Sequence, residues 1–444
     1  MKKIILSLFV FLFFITTAQA KAVKRDLSTV INDSGVDIES IAVSIKNADN
    51  GKTVYALNDK MLMNPASVQK VLTTPVAVEV LGWDYLFKTQ LYSRNDDCYL
   101  LKLGADPYLD SKSLKSLVKN IKSDTQRIFI DDKALDNKTW GEGWQWDDDL
   151  NVLMPKFSSY NLDKNLVKLT IMPTEGDQFA TVINPSKYPL VFFNHVKTAD
   201  KTDIKVHRDN NISTNTLILS GTVARPTVIS IPVNNLQRYF IVQLTRALED
   251  RNIYLKHAFV PSKIQESDIF IQEISHGIDL AINDILKNSN NLISETIFKL
   301  AGGKYLGLET GTDNAAIKMF NDYCVRNNLD NSRIRITDGS GVSKNNLVSA
   351  DFVTEFLGVN KDNKIMESLP KPGEGTLTHR MLPIKDNLRA KTGTLSDVSA
   401  IAGYLTSKSG KKYTFCIITN DMKLSESDKK MLEDFIIREA YLRL

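Results

Sequence analysis

The sequence predicts an α/β fold in which a sheet is layered with helices and a β-rich region is inserted into the layered part. Three observations carry this. Near the start, "ESIAVSIKNADNGKTVYALN" holds two alternating apolar runs around a polar turn, the pattern of a β-hairpin. At the end, the strand-like "RAKTGTLSDVSAIAGYLTS" and "KKYTFCIITN" precede the helical "SDKKMLEDFIIREAYLRL". Between them, residues 86–265 are rich in short β-type runs. The layered domain is therefore expected from residues 21–85 and 266–444 together, with 86–265 as the insert.

Taken in order, the first twenty residues, "MKKIILSLFVFLFFITTAQA", join a basic start to a short apolar run and an Ala-x-Ala site. That is the pattern of a secretory signal peptide cleaved after Ala20, residues 1–20. The apolar run is short for a membrane-spanning helix. The whole chain has 444 residues, 43% hydrophobic and 24% charged, with a formal charge of +4. Lys2 and Lys3 of the leader supply two of those positive charges. The lysines are spread along the chain with no arginine cluster, so no nucleic-acid partner is expected. Three cysteines allow at most one disulfide, and their spacing matches no zinc site. The five histidines are scattered, so neither a metal nor a cofactor is expected.

The hairpin turn falls at Asn47 to Lys52. "SVQKVLTTPVAVEVLGW" then has helical spacing, with Gly82 as a stop and Pro75 as a kink or an early break. The middle gives "FKTQLYS", "CYLLKLG", "RIFIDD", "LVKLTIMP", "TLILSGTV" and "TVISIPV" as strands, then one amphipathic helix, "LQRYFIVQLTRALEDRNI". Cys416 in "YTFCII" reads as a buried small hydrophobe. The C-terminal zone opens on helices, "GIDLAINDILKNSNNLISETIFKLAGG" and "TDNAAIKMFNDYCVRNN". The final amphipathic helix is expected to cover the sheet, with at most peripheral membrane contact.

Three short stretches can carry chemistry. In "NPASVQK", Ser67 and Lys70 stand three residues apart at a helix start and share a face. A serine hydroxyl attacks only when something takes its proton, and a lysine of lowered pKa can do so. The spacing alone says little, because Ser116/Lys119, Ser409/Lys412 and Ser427/Lys430 repeat it. In "KNSNN", Ser289 and Asn291 lie between two helical segments, where a hydroxyl could relay a proton and an amide could hold a peptide carbonyl. Serine and asparagine also suit an ordinary turn. In "RAKTGTLSDV", Lys391, Thr392, Gly393 and Thr394 open a strand whose edge could receive an extended peptide, with Gly393 permitting close approach. An ordinary turn before a strand reads equally well.

In this order, Ser-x-x-Lys, Ser-x-Asn and Lys-Thr-Gly form the motif set of serine β-lactamases and penicillin-binding proteins. The flanking segments "NPASVQKVLTT", "TDGSGVSKNNLVS", "LKLGADPYL", "WGEGWQWDDD" and "SSYNLDKNLVKLTIMP" resemble the low-molecular-mass class C penicillin-binding proteins. These are the D-alanyl-D-alanine carboxypeptidase/endopeptidases of peptidase family S13. The resemblance covers essentially the whole chain after the leader. It implies a β-lactamase/transpeptidase-like domain, an antiparallel sheet covered by helices, with the insert forming two subdomains.

The resemblance also implies residue roles. Ser67 would be the nucleophile and Lys70 its base, with Lys391 beside Lys70 lowering its pKa. Ser289 would pass a proton to the leaving group, and Asn291 would hold the substrate amide and Lys70. Lys391, Thr392 and Thr394 would bind the terminal carboxylate. Asp148, Lys344 and Ser396 would meet the stem-peptide side chain, Lys344 standing where relatives often carry arginine and Ser396 where some carry glutamine. Ser340 would line the cleft, unless its glycine-flanked segment serves only as a tight turn. The expected partners are peptidoglycan stem peptides and β-lactam antibiotics, met in the periplasm. The competing readings are a β-lactamase-like hydrolase or D-amino-acid esterase, and a non-catalytic wall-binding module.

Overall fold

Strands from the two ends of the sequence meet in one antiparallel sheet. The computed structural model describes residues 27–444 except 96, 176–177, 210–214 and 258, so the expected leader lies outside the described residues. The sheet runs in the order Leu388–Thr394, Val398–Thr406, Lys412–Asn420, Ile41–Asn47, Thr53–Leu57. Each neighbouring pair is antiparallel, with Cys416 opposite both Ala402 and Ser44. The expected hairpin is present, its strands ending at Asn47 and resuming at Thr53.

The two faces of the sheet are sorted by alternation. Ile401, Phe415 and Ile417 point into one cluster with Leu432, Ile436, Ile437 and Ala440 of the final helix, Glu426–Arg443. Ala400, Ala402, Cys416 and Ile418 point the other way, onto the helices Gln69–Leu81, Ile278–Asn288, Asn291–Tyr305 and Ala350–Val359. The period of two along a strand forces this split, and burying both faces explains why these strands are almost continuously apolar. The final helix covers the sheet, as expected. Each fully buried Ile or Leu on it contributes about 1.5–3 kcal/mol. Cys416 is a buried free thiol in this core, and Cys324 is buried and free as well.

The helix Gln69–Leu81 runs through Pro75 without a break and stops at Gly82, whose φ is +89°. A proline inside a helix costs about 3 kcal/mol locally. Here nearly every side chain of the helix is buried, so tertiary packing outweighs it. The Ala350–Val359 helix has no counterpart among the sequence expectations.

The middle of the chain builds its own core. One five-stranded sheet runs Val260–Pro261, Arg127–Asp131, Cys98–Leu103, Leu86–Asn95, Ile269–Gly277. Its Cys98–Leu103 and Arg127–Asp131 strands are parallel. Because Ile269–Gly277 pairs with Leu86–Asn95, this sheet draws on both sides of residue 265. Two three-stranded sheets complete the region. The expected amphipathic helix is Leu236–Glu249, capped by the Asn235 side chain and burying Leu236, Phe240, Leu244 and Leu248 against Leu101, Ile128 and Leu169.

Candidate active site

The site begins with a strained turn. Ala66 sits in the left-handed region at φ +45°, and the Asn64 side chain accepts a hydrogen bond from the Ala66 N–H at 2.8 Å. Such a conformation is unfavourable for alanine and persists only where its surroundings impose it. Residues Ala66–Val68 form a single 3-10 turn, and the α-helix starts at Gln69. Ser67 therefore stands just ahead of the helix, half-buried in an otherwise buried run, and Lys70 reaches it from the first helical turn.

Lys70 is fully buried, and its Nζ has three acceptors. It lies 2.8 Å from Ser67 Oγ, 2.7 Å from Asn291 Oδ1 and 2.5 Å from the Ser340 carbonyl oxygen. Burial lowers its pKa to about 7, although the carboxylates of Asp338 and Glu295 pull it upward. An amine of that pKa, in contact with a serine hydroxyl, can take the hydroxyl proton near neutral pH.

The second element is set by two caps. The helix Ile278–Asn288 ends at Ser289, which adopts the left-handed conformation at φ +59°. Asn290 then caps the next helix by accepting from the Ile293 N–H at 3.0 Å. Ser289 and Asn291 flank this cap. Asn291 uses its oxygen for Lys70 and donates its amide to the Leu153 carbonyl at 2.8 Å.

The third element is the edge strand Leu388–Thr394. Lys391 is fully buried and donates to Ser289 Oγ at 2.9 Å and to the Thr392 carbonyl at 2.7 Å. Its pKa is held well below the usual lysine value, first by burial and then by the charge of Lys70. The expectation had Lys391 depressing Lys70. In the structure burial is the first cause for both lysines, and the charge of Lys70 adds to the lowering of Lys391. Thr392 shares a hydrogen bond with Thr376 at 2.7 Å. Gly393 has a reason the sequence did not suggest. A Cβ there would stand 2.7 Å from the Pro65 oxygen and 2.8 Å from the Ser67 nitrogen. The missing side chain thus lets this strand lie against the nucleophile turn itself.

The remaining predicted residues lie at or behind the rim. Ser340 is fully buried; its carbonyl, rather than its hydroxyl, reaches Lys70, and its N–H donates to Glu295 at 2.8 Å. Lys344 is exposed, with Nζ 3.7 Å from an oxygen of Asp397. Ser396 is exposed in the turn between Leu388–Thr394 and Val398–Thr406. Asp148 is half-buried in the turn Trp146–Asp148, close in sequence to Leu153. Thr394 is half-buried at the end of its strand.

Two acidic residues escaped the sequence reading. Asp338 accepts from the N–H groups of Gly341 and Ser343, from Asn346 Nδ2 and from Trp144 Nε1 at 2.6–2.8 Å. Glu295 accepts from the N–H groups of Gly339 and Ser340. Glu295 follows Asn291 by one helical turn, which puts the two on one face of the helix.

Comparison with known proteins places the chain in a family. The D-alanyl-D-alanine carboxypeptidase DacB of Haemophilus influenzae is 26% identical over 423 residues, covering 87% of this chain and 86% of its own. The D-alanyl-D-alanine carboxypeptidase of Actinomadura sp. strain R39 is 24% identical over 443 residues, covering 91% and 82%. The crystal structure of penicillin-binding protein 4 from Haemophilus influenzae superposes with a TM-score of 0.82 at 22% identity, covering 94% of this chain and 99% of that one, a likeness of fold. The family model described as "D-Ala-D-Ala carboxypeptidase 3 (S13) family" matches residues 23–439. The chain thus belongs to the D-Ala-D-Ala carboxypeptidase 3 (S13) family of serine peptidases.

Proposed function

We propose that the chain is an exported serine D,D-peptidase. It would hydrolyse D-Ala-D-Ala ends, D,D cross-links, or both, in peptidoglycan peptides through an acyl-enzyme on Ser67. The observation that carries this is the contact of 2.8 Å between Ser67 Oγ and a fully buried Lys70 whose pKa lies near 7.

Ser67 Oγ attacks the carbonyl carbon between the two D-alanines while its proton passes to Lys70 Nζ. The oxyanion that forms accepts hydrogen bonds from the N–H groups of Ser67 and Thr394. The proton that Lys70 took passes through Ser289, which is linked to Lys391 at 2.9 Å, to the departing D-alanine nitrogen as the C–N bond breaks, and Lys70 is neutral again. Lys391, Thr392 and Thr394 hold the terminal carboxylate, and Asn291 holds the substrate amide. Water then attacks the ester while Lys70 takes its proton, and as the ester C–O bond breaks Lys70 returns that proton to Ser67 Oγ. A penicillin would acylate the same oxygen and leave slowly. Asp148, Lys344 and Ser396 are assigned to the side chain of the stem peptide, and the Ser340 carbonyl to the placement of Lys70. Residues 21–85 and 266–444 are read as the catalytic domain and 86–265 as the insert. Removal of residues 1–20 would release the protein into the periplasm.

The test is intact-protein and peptide mass analysis after penicillin treatment, together with product analysis from cross-linked peptidoglycan. A covalent adduct on Ser67, and loss of both activities in Ser67→Ala, are expected. A Ser67→Ala protein that still cleaves the peptides would overturn the assignment. Fast penicillin turnover without peptide cleavage would favour a β-lactamase-like hydrolase, and binding without either reaction a non-catalytic module.

A further inference from the structure

One buried carboxyl group beside the site has no part in the chemistry above. Glu295 is 1% exposed. Its Oε1 accepts from the Ser340 N–H at 2.8 Å and its Oε2 from the Gly339 N–H at 3.1 Å. The Gly339 carbonyl is gripped in turn by Ser294 Oγ at 2.9 Å and Thr73 Oγ1 at 2.7 Å. The next carbonyl along, that of Ser340, holds Lys70 Nζ at 2.5 Å. Gly341 follows at φ +83°, where a Cβ would run into the Ala66 carbonyl. The backbone 339–341 is thus wedged between the helix that carries Lys70 and the helix that carries Asn291, and Glu295 secures its N–H side.

We infer that Glu295 is a positioning residue of this site: it fixes the Gly339–Ser340 backbone that holds Lys70, and, together with Asp338, it raises the pH at which Lys70 releases its proton. The inference rests on the reading of Lys70 as the base of Ser67.

The electrostatics agree with the geometry. Burial, with Asp338 beside it, pushes the Glu295 carboxyl up to about 8, while burial brings Lys70 down to about 7. Asp338 and Asp313 are the acidic groups whose charge acts on Glu295. Lys391, which contacts Ser289, is held well below the ordinary lysine value by burial and then by the charge of Lys70. Glu295 and Lys70 therefore change charge over neighbouring pH ranges. An ionised Glu295 favours the charged, inactive form of Lys70. A carboxyl that only clamped the backbone would influence the rate without moving its pH dependence.

The experiment is the rate of Ser67 acylation by penicillin as a function of pH in the full protein and in Glu295→Gln, Glu295→Asp and Lys70→Ala. Glu295→Gln cannot ionise, so its acidic limb is expected about half a pH unit or more below that of the unaltered protein. Glu295→Asp keeps an ionisable group, and its limb should stay in place whatever happens to the maximal rate. An unmoved limb in Glu295→Gln, or an equal displacement in Glu295→Asp, overturns the inference. Lys70→Ala separates this outcome from failure of the underlying reading. If it acylates at the unaltered rate, the base assignment falls, and this inference with it. If it is inert while Glu295→Gln keeps the normal limb, this inference alone falls. Should Glu295→Gln not fold, infrared difference spectra of the unaltered protein decide. A protonated-carboxyl carbonyl band that disappears as pH rises through about 8, and shifts in Glu295→Asp, is expected. Its absence at all pH values overturns the inference.

Discussion

At the scale of single residues, the base has to be neutral to work, and that fixes the sign of the pH response. Lys70 accepts the Ser67 proton only after losing its own, and its pKa is about 7. Acylation by penicillin should therefore rise with pH through about 7 and level off above it, as stopped-flow acylation across the range can check. A midpoint near the ordinary lysine value would mean that Lys70 is not buried as described. Lys391 is the second test. It is fully buried and donates to Ser289. Lys391→Ala should lower both peptide cleavage and acylation by about 10²-fold or more, the scale for losing a positioned charge or donor in a site. Unchanged acylation would remove it from the site. Ser67, Lys70, Ser289, Asn291 and Lys391 were legible as an ordered set. Glu295 was not, because a glutamate in "SETIFKL" looks like any solvated helix residue. Only the packing of three segments shows that it is buried.

At the scale of elements, the contact between the Leu388–Thr394 strand and the nucleophile turn decides whether the two halves of the site meet. Gly393 permits that contact, since a Cβ would lie 2.7 Å from Pro65 O, 2.8 Å from Ser67 N and 2.9 Å from Val68 N. All three are backbone atoms, so no side chain can swing away. Gly393→Ala should destabilise the protein by about 1–3 kcal/mol, the usual scale of overpacking. By parting the strand from the turn it should also slow acylation about 10-fold or more. Urea unfolding and acylation rates measure the two effects, and a variant equal to the unaltered protein in both would show that the approach is not tight. The strands and long helices were readable because alternation and helical spacing are local signals. The Ala350–Val359 helix was not, since "ADFVTEFLGV" is apolar on most of its surface and buries Phe352, Val353, Phe356 and Leu357. Nor was the parallel pairing of Cys98–Leu103 with Arg127–Asp131, because register and direction come from partners distant in sequence.

At the scale of the whole molecule, the sequence read residues 86–265 as a β-rich insert but carried no sign of a grip on the site. Segment 140–157 reaches from the insert onto the loop that carries Ser340. Trp144 packs among Trp140, Phe157, Met154, Leu292 and Val342, and its indole N–H donates to Asp338 at 2.8 Å. Nearby, the Leu153 carbonyl receives the Asn291 amide, and the buried Lys299 reaches Asp136 at 2.6 Å. Asp338 holds the 337–346 loop through Gly341, Ser343 and Asn346, so whatever anchors Asp338 also anchors the carbonyl that holds Lys70. Trp144→Phe isolates this link, because it keeps an aromatic ring in the cluster and deletes the N–H. A buried carboxylate oxygen then loses one of its donors, at a cost of about 1–3 kcal/mol. The loop loosens at the same point. The urea midpoint should fall with an unchanged slope, and acylation should slow while its acidic limb stays in place, since no charge has been altered. If the variant unfolds and acylates like the unaltered protein, the backbone donors alone hold Asp338, and the insert rests beside the site without steering it.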